Sequence, residues 1–326
     1  MNRQILRSAV AFAAAGLAVT AFVTPSTAAP AARAVTTHLA ADTTAKAAAV
    51  AAKWTPAAMR AAVPLDQLLD VADAAKLTQD VAKAAAQVVA PTAGEDVGTM
   101  AFPSGGAAWT GGGKVVTTAG RVFFTYQGRQ ASCSGNAVTS ANKSTIITAG
   151  HCVKLDGAFH TNWAFVPAYN NGNAPYGTWT ARATMATPQW VASEDINYDV
   201  GAAVVNPLNG ASLTDVVGGQ GVAFNQARGQ NMYAFGWPAA APYDGTKMIY
   251  CSGKVFNAFL SNGIGMTCDM TGGASGGPWF LQFSEASGTG LLNSVNSYKI
   301  NIIPTWMFGP YFGADAQNLY NSAQAA

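Results

Sequence analysis

Two short stretches decide the fold: Thr148-Ala-Gly-His-Cys152 and, much later, Thr271-Gly-Gly-Ala-Ser-Gly-Gly-Pro278. The later one sets Ser275 among glycines, which permit a tight turn and let a bound carbonyl approach closely. They also free the N–H groups of Gly273 and Ser275 to face a developing oxyanion. Because a serine hydroxyl needs a neighbouring base to become a nucleophile, we look to His151 in the earlier stretch. Together the two stretches predict nucleophilic catalysis by serine.

The choice of base rests on the surroundings of the three histidines, which are His38, His151 and His160. His38 falls in a segment that we expect to be removed, and His160 lies in a stretch typical of a surface turn. His151 follows a β-prone run and adjoins Cys152, which could fix it through a disulfide. Imidazole is well suited to moving protons near neutral pH. His151 is therefore the predicted general base.

An acidic group should orient that imidazole and fix its tautomer. Asp199 opens the strand-like run Asp199-Val-Gly-Ala-Ala-Val-Val205, so it should lie at the edge of a buried element. Glu194 and Asp195 compete, but their context is typical of a solvated turn. Asp199 is the predicted partner of His151.

The order His, Asp, Ser excludes two other classes of serine hydrolase. An α/β-hydrolase places its histidine after the serine, and no histidine follows position 160. A subtilisin-like enzyme places its aspartate before the histidine. Every acidic residue upstream of His151 lies within residues 29–113, the segment that we expect to be removed.

Residues 1–28 resemble a secretory signal peptide. Arg3 and Arg7 precede the uncharged, mostly apolar run from Ala9 to Val23, and Ser26-Thr-Ala28 supplies small residues at a cleavage site. The run is short for a membrane span, and no later segment is apolar enough to be one. We therefore expect a secreted, extracellular protein with no membrane association after signal removal; a membrane anchor is the alternative.

Residues 29–113 are rich in alanine and lack the strand pattern seen later. Apolar residues at helical spacing predict a helix of roughly Leu65 to Val89, and Thr110 to Gly113 is typical of a flexible linker. We interpret the segment as a propeptide that inhibits the enzyme or assists its folding. The alternative is an N-terminal extension of the mature enzyme, whose N-terminus would then lie near Ala29.

From Lys114 to Ala326 the chain changes to short β-prone runs separated by turn residues, such as Arg121–Tyr126, Ser144–Thr148 and Leu291–Ile300. This pattern predicts an all-β sandwich or barrel. Ala314 to Ala323 predicts a short closing helix. The domain that carries His151, Asp199 and Ser275 is thus expected to span residues 114–326.

Four cysteines, Cys133, Cys152, Cys251 and Cys268, favour two disulfides in an exported chain. Three pairings are possible; local pairing would close two short loops. Zinc is a poor alternative because no Cys-x-x-Cys spacing occurs and two of the histidines lack a nearby cysteine. We expect no metal and no other cofactor.

Charge excludes another class of partner. Only 10% of residues are charged, the net charge is +2, and lysines and arginines do not cluster. Nucleic-acid binding needs a concentrated basic face, so we expect none. The expected partners are protein or peptide substrates, with the chain's own propeptide as intramolecular inhibitor or folding aid, and we expect a monomer.

The motifs around His151, Tyr198-Asp199-Val200 and Gly273–Pro278, in this order, resemble the chymotrypsin/trypsin-like serine peptidases over about residues 115 to 326. Within that family, the chain most resembles bacterial secreted members that have an N-terminal propeptide. The resemblance implies two six-stranded antiparallel β-barrels with the active site between them, and a Cys133–Cys152 bridge. It also implies hydrolysis of peptide bonds through an acyl-enzyme, with Gly273 and Ser275 forming the oxyanion hole.

Specificity is read from three further positions. Asp269 precedes Ser275 at the spacing at which trypsin-like members place the aspartate that attracts Lys or Arg, although a plain hydrogen-bonded loop residue fits as well. Ser294 to Asn296 could supply the backbone edge that binds substrate by strand addition, and Ser297 gives an equally good alignment. Ala274 replaces the aspartate with which digestive members bind a new N-terminus, so processing should instead remove a blocking segment.

A second function class remains open, a catalytically silent relative that acts as a binding or adhesion module. The presence of His151, Asp199 and Ser275 together argues against it.

Overall fold

The computed structural model describes residues 34–66, 68–69, 81–93 and 102–326, within one compact unit, Arg33–Ala326. The predicted signal peptide therefore lies outside the described residues. In the part of the chain that is described, no helix is long and apolar enough to cross a membrane.

Among the described residues, five short strands precede the predicted peptidase domain, and each pairs with one strand of the later sheets. They are β1 (Thr37–Leu39), β2 (Val63–Pro64), β3 (Leu68–Leu69), β4 (Gln87–Val89) and β5 (Ser104–Ala108), with helices α1 (Thr44–Lys53) and α2 (Pro56–Ala61) between the first two. Both helices begin at a threonine, Thr43 and Thr55, whose side chain accepts a backbone N–H of the first turn.

The first barrel comes next in the chain. Both faces of its strands are largely buried, which suits their mostly apolar residues. Its strands and the small hairpin β9–β10 are β6 (Ala119–Tyr126), β7 (Arg129–Ala137), β8 (Thr145–Thr148), β9 (Lys154–Leu155), β10 (Ala158–Phe159), β11 (Thr161–Pro167), β12 (Trp179–Ala186) and β13 (Gly201–Val205). The antiparallel order β12-β11-β6-β7-β8-β13 closes through pairing of β12 with β13. Closure leaves this barrel without free edges of its own.

The second barrel is built from two sheets that share one apolar core. Its strands are β14 (Gly221–Phe224), β15 (Asn231–Gly236), β16 (Ile249–Lys254), β17 (Phe256–Asn257), β18 (Ile264–Thr267), β19 (Pro278–Ser284), β20 (Thr289–Val295), β21 (Tyr298–Ile300) and β22 (Ile303–Gly309). The disulfide Cys251–Cys268 joins β16 to the end of β18 and so ties the two sheets together.

The remaining helices are short and lie at the ends of strands: α3 (Lys114–Thr118), α4 (Pro188–Ser193), α5 (Leu213–Val217) and α6 (Ala314–Ala325). The closing helix α6 buries Leu319 and Tyr320 against the barrels. The sequence predicted it over Ala314 to Ala323, and the all-β fold class with this closing helix is confirmed.

The predicted helix from Leu65 to Val89 is wrong where the structure describes it. Leu68–Leu69 and Gln87–Val89 are strands, β3 and β4, that extend sheet edges formed by β21 and β14. Pairing with an exposed edge satisfies their backbone groups and outweighs helical propensity. The middle of the predicted helix, residues 70–80, lies outside the described residues.

The predicted linker at Thr110 to Gly113 is also anchored rather than free. Trp109, just before it, packs edge-on against Phe235 and Tyr250. Its indole N–H donates to the Gly112 carbonyl at 2.8 Å. Aromatic burial of this size fixes the segment to the second barrel.

Candidate active site

His151 stands on a single 3₁₀ turn, Gly150–Cys152, immediately after β8. The disulfide Cys133–Cys152 ties this turn to β7, the neighbouring strand of the first barrel. Of the three pairings that the sequence allowed, the structure has the local one, Cys133 with Cys152 and Cys251 with Cys268. His151, the predicted base, is therefore held by a closed barrel and by a disulfide.

Asp199 follows a second 3₁₀ turn, Ile196–Tyr198, and lies two residues before β13. Its Oδ2 lies 2.7 Å from Nδ1 of His151, and its Oδ1 accepts the backbone N–H of His151 at 2.7 Å. Both side chains are fully buried. Because a carboxylate can only accept, Nδ1 carries the proton and Nε2 is left as the basic nitrogen. Within the described part of the chain, Nε2 is buried and has no hydrogen-bond partner.

The competing acids are engaged elsewhere. Glu194 accepts hydrogen bonds from Lys154 Nζ at 2.7 Å and from the backbone N–H of Gly157 at 3.0 Å. The Asp195 carboxylate caps the turn before Asp199 by accepting the backbone N–H of Asn197 at 3.0 Å.

A hydroxyl from the second barrel reaches the same carboxylate. Ser297 Oγ donates to Asp199 Oδ2 at 2.6 Å, and both groups are buried. The bond joins the two barrels at the site. Sequence reasoning named Ser297 only as an alternative for substrate binding, because nothing local signals a partner so distant in the chain.

The Ser275 loop depends on two positive backbone angles. Gly273 has φ +93° and Gly276 has φ +79°, a region that glycine adopts without strain. A Cβ on Gly276 would lie 2.0 Å from Thr148 Oγ1, so only glycine permits this approach to the histidine-bearing segment. The carbonyl of Ser275 accepts the backbone N–H of Ser134 at 2.7 Å. The loop is thereby held against β7 and the end of β8.

Asn296 buttresses that loop from the other side. Its amide donates to the carbonyl of Ala274 at 2.9 Å, and its side-chain oxygen accepts from Trp279 at 2.6 Å. Its backbone exchanges hydrogen bonds with Gly276 and Gly277 at 2.7 and 2.9 Å. The Asn296 side chain is therefore occupied with positioning the Ser275 loop.

Ser294 has a similar internal role. It is fully buried, and its hydroxyl donates to the carbonyl of Pro310 at 2.8 Å. In the stretch that the sequence indicated for substrate addition, Ser294 and Val295 pair with β19, whereas β3 pairs with Lys299 and Ile300 of β21 (Tyr298–Ile300).

His160 was interpreted as part of a surface turn, and the structure places it in the core at 2% exposure. Its ring stacks on Phe124 with centroids 4.3 Å apart, and its Nε2 lies 2.8 Å from the carbonyl oxygen of His151. The hairpin β9–β10 brings it back against the turn that carries His151. Burial lowers the pKa of His160 to about 4, so it is neutral at ordinary pH. It supports the backbone of His151 from below.

Two opposite charges occupy the region expected to set specificity. The Asp269 carboxylate accepts the Tyr243 hydroxyl at 2.6 Å, and its backbone N–H donates to Gly105 at 2.8 Å. The Lys299 ammonium donates to the carbonyls of Cys268 and Met270 at 3.3 and 2.8 Å, one on each side of Asp269. Sequence reasoning missed Lys299, because only the packing of β21 brings it there.

The N-terminal chain crosses the site. We call residues 63–66 and 68–69 the covering segment. Leu65 donates its N–H to Ser132 in β7 at 2.9 Å, and its carbonyl accepts the N–H of Gly273, a predicted oxyanion donor, at 3.1 Å. Before this point β2 pairs with β7, and after it β3 pairs with β21, both in parallel.

Three potential metal ligands, one of them His151, lie close together, but their chemistry argues against a metal. Cys133, His151 and Cys152 form the one such cluster in the described residues. Both sulfurs are committed to a disulfide, whereas zinc and copper sites use thiolates.

The chain is similar to proteases of known sequence and of known structure. No protein-family model matches the chain. It is 27% identical over 175 residues to a curated protein of Bacillus subtilis (strain 168) named extracellular metalloprotease. That match covers 52% of the chain and 53% of the relative, so the chain spans about half the length of the curated protein that it matches.

Solved structures cover more of the chain. Protease Anisep from Arthrobacter nicotinovorans is 47% identical with a TM-score of 0.63, over 68% of this chain and 100% of that one. The thermostable serine protease AL20 from an extremophilic microorganism is 40% identical with a TM-score of 0.62, over 65% and 99%. With a buried His–Asp pair between two β-barrels, the chain belongs to the chymotrypsin-like family of serine endopeptidases.

Proposed function

We propose that the protein hydrolyses peptide bonds through a Ser275–His151–Asp199 triad and an acyl-enzyme intermediate. The observation that carries the proposal is the buried contact of 2.7 Å between His151 Nδ1 and Asp199 Oδ2, which directs the basic Nε2 away from the carboxylate. The glycine-rich turn of Ser275 is held against the segment that bears His151.

The reaction divides into two half-reactions. Ser275 Oγ attacks the scissile carbonyl carbon while Nε2 of His151 takes its proton, and the resulting oxyanion accepts from the N–H groups of Gly273 and Ser275. The C–N bond then breaks as Nε2 returns the proton to the leaving amine, which leaves an ester on Ser275. Water activated by the same nitrogen hydrolyses the ester. Asp199 stabilises the imidazolium in both steps.

The N-terminal residues are proposed to leave in two stages, residues 1–28 as a signal peptide for secretion and residues 29–113 as an inhibitory propeptide. The inhibition is supported by the covering segment, in which the Leu65 carbonyl already occupies the N–H of Gly273. Removal is supported by topology. The strands β1 to β5 each pair with one strand only, so they can depart without dividing a sheet.

Active-site labelling tests the mechanism. A fluorophosphonate probe should label the purified protein on Ser275, and Ser275→Ala should abolish labelling and lower kcat by about 10⁵–10⁶-fold. Ser193→Ala, an exposed serine on α4, is the matched control and should behave as the native protein. Processed, well-folded protein that takes no label would favour the silent binding module instead.

Because the curated relative is named a metalloprotease, the test has a second part, treatment with a chelator. A metal-dependent peptidase would lose activity with a chelator and resist the fluorophosphonate. We expect the reverse, since the cysteines beside His151 form a disulfide.

A further inference from the structure

Lys299 is a buried ammonium that the proposed mechanism does not use. Lys299 is 5% exposed. In the described chain, its ammonium donates hydrogen bonds only to two backbone carbonyls, those of Cys268 and Met270. Carbonyl dipoles alone compensate a buried positive charge poorly, because desolvation penalises the charged form. Burial lowers the pKa of Lys299, and the negative charges of Asp66 and Asp269 oppose this change.

Those two carboxylates belong to different parts of the chain. Asp269 belongs to the same wall as the carbonyls and is held by the Tyr243 hydroxyl at 2.6 Å. Asp66 belongs to the covering segment and departs with it. Once the segment is gone, Lys299 keeps one fixed opposite charge and loses the other.

The position of Asp66 relative to the oxyanion donor defines a subsite. Asp66 follows Leu65 directly, and the carbonyl of Leu65 accepts the N–H of Gly273 at 3.1 Å. A Cβ on Gly272 would lie 3.0 Å from Cβ and 3.2 Å from Oδ2 of Asp66, so this acid lies against the wall beside the donor. The chain thus presents an acidic residue next to the carbonyl that the oxyanion donor holds.

Resting on the proposed peptidase function, we propose that Lys299 is a specificity-determining residue that makes the enzyme prefer substrates with an acidic side chain adjoining the scissile bond. A substrate carboxylate would take the place that Asp66 vacates and restore the second opposite charge near the ammonium. The competing assignment is the sequence-based one, in which Asp269 attracts Lys or Arg. The two assignments predict opposite preferences.

The test compares matched peptides on protein expressed as the full chain, once fluorophosphonate labelling shows that its site is open. Two series vary the residue before and the residue after the scissile bond as Glu, Gln or Lys. In at least one of the two series, the kcat/KM of the native protein should be at least about tenfold higher for the Glu peptide than for the Gln peptide. A hydrogen bond to a charged group implies a difference of this size. Lys299→Met should abolish that ratio, and Lys299→Glu should invert it toward the Lys peptide.

Lys254→Met, an exposed lysine at the end of β16, is the matched control and should leave the ratio unchanged. Native protein that cleaves both series without preferring Glu, or that prefers Lys, overturns the proposal even if every Lys299 variant misfolds. An unchanged ratio in labelled Lys299→Met protein also overturns it. Failure of the proposed peptidase mechanism looks different, since neither labelling nor cleavage would then occur.

Discussion

Asp199 holds His151 at two points, accepting the ring N–H at Oδ2 and the backbone N–H at Oδ1, each at 2.7 Å. One bond alone would fix the tautomer and leave the ring free to tilt. The second fixes the backbone of the same residue, so the carboxylate sets the position of the imidazole as well as its tautomer.

Replacing Asp199 by Asn should therefore impair catalysis severely. The amide can donate to Nδ1 and stabilise the wrong tautomer, so kcat should fall by about 10³–10⁴-fold while KM changes little. Steady-state kinetics on a peptide substrate measures this. Asp195→Asn, which alters only the cap of the preceding turn, should retain kcat within a few-fold. Equal losses in the two variants would place the orienting acid elsewhere.

We expect Ser297 to be a positioning residue that acts through Asp199. Ser297→Ala removes a donor at 2.6 Å from Oδ2 and should lower kcat by about tenfold, the size of one charge-assisted hydrogen bond. Since the bond acts on the acid and not on substrate, KM should be unaffected. Ser294→Ala removes a buried hydroxyl that bonds Pro310 instead and should lower stability without changing kcat of the folded protein. A change in KM alone for Ser297→Ala would contradict the positioning role.

His160 should make stability depend on pH. Burial lowers its pKa from 6.5 to about 4 in the folded protein. Protons therefore bind the unfolded chain first as the pH falls below 6.5. The stabilisation associated with neutral His160 is complete above that value and decreases down to pH 4, by about 3 kcal/mol in all.

His160→Gln keeps an N–H donor for the His151 carbonyl and removes the titration. The free energy of unfolding, measured by denaturant titration at pH 7 and pH 4.5, should fall less on acidification in this variant than in the native protein. Burial also lowers the pKa of His38, a half-buried histidine in β1, so His38→Gln should reduce the fall on acidification less than His160→Gln does. Parallel pH curves for native and His160→Gln protein would show that His160 does not titrate in this range.

Loosening the covering segment should uncover the site. Leu65→Pro removes the N–H that donates to Ser132, and loss of one hydrogen bond of about 1 kcal/mol should speed fluorophosphonate labelling of the unprocessed chain by about fivefold. Ala40→Pro removes the N–H that donates to the carbonyl of Arg182 at 2.9 Å and so loosens the chain next to β1, which pairs with β12 and not with β7 or β21. Equal acceleration by both variants would indicate general loosening of the N-terminal strands and not release of the site.

Local pattern predicted the strands well because their apolar, β-branched runs lie in closed or stacked sheets. It failed at Leu68–Leu69 and Gln87–Val89, where helical spacing of alanine and leucine was outweighed by pairing with edge strands. Edge pairing is a property of the partner strand, and no nearby residue signals it. The prediction for His160 was wrong because its neighbours in sequence are typical of a turn, whereas the residue lies in the core.

The sequence without the structure indicated a histidine, an aspartate and a serine in an order that fits one fold. Each of them lies in a local motif whose residue types the chemistry requires. The tertiary structure alone decided how those groups are held and what lies against them: the bond from Ser297, the buried Lys299, and the N-terminal crossing at Leu65. These contacts join residues far apart in sequence, and their energies arise only when two barrels pack and exclude water.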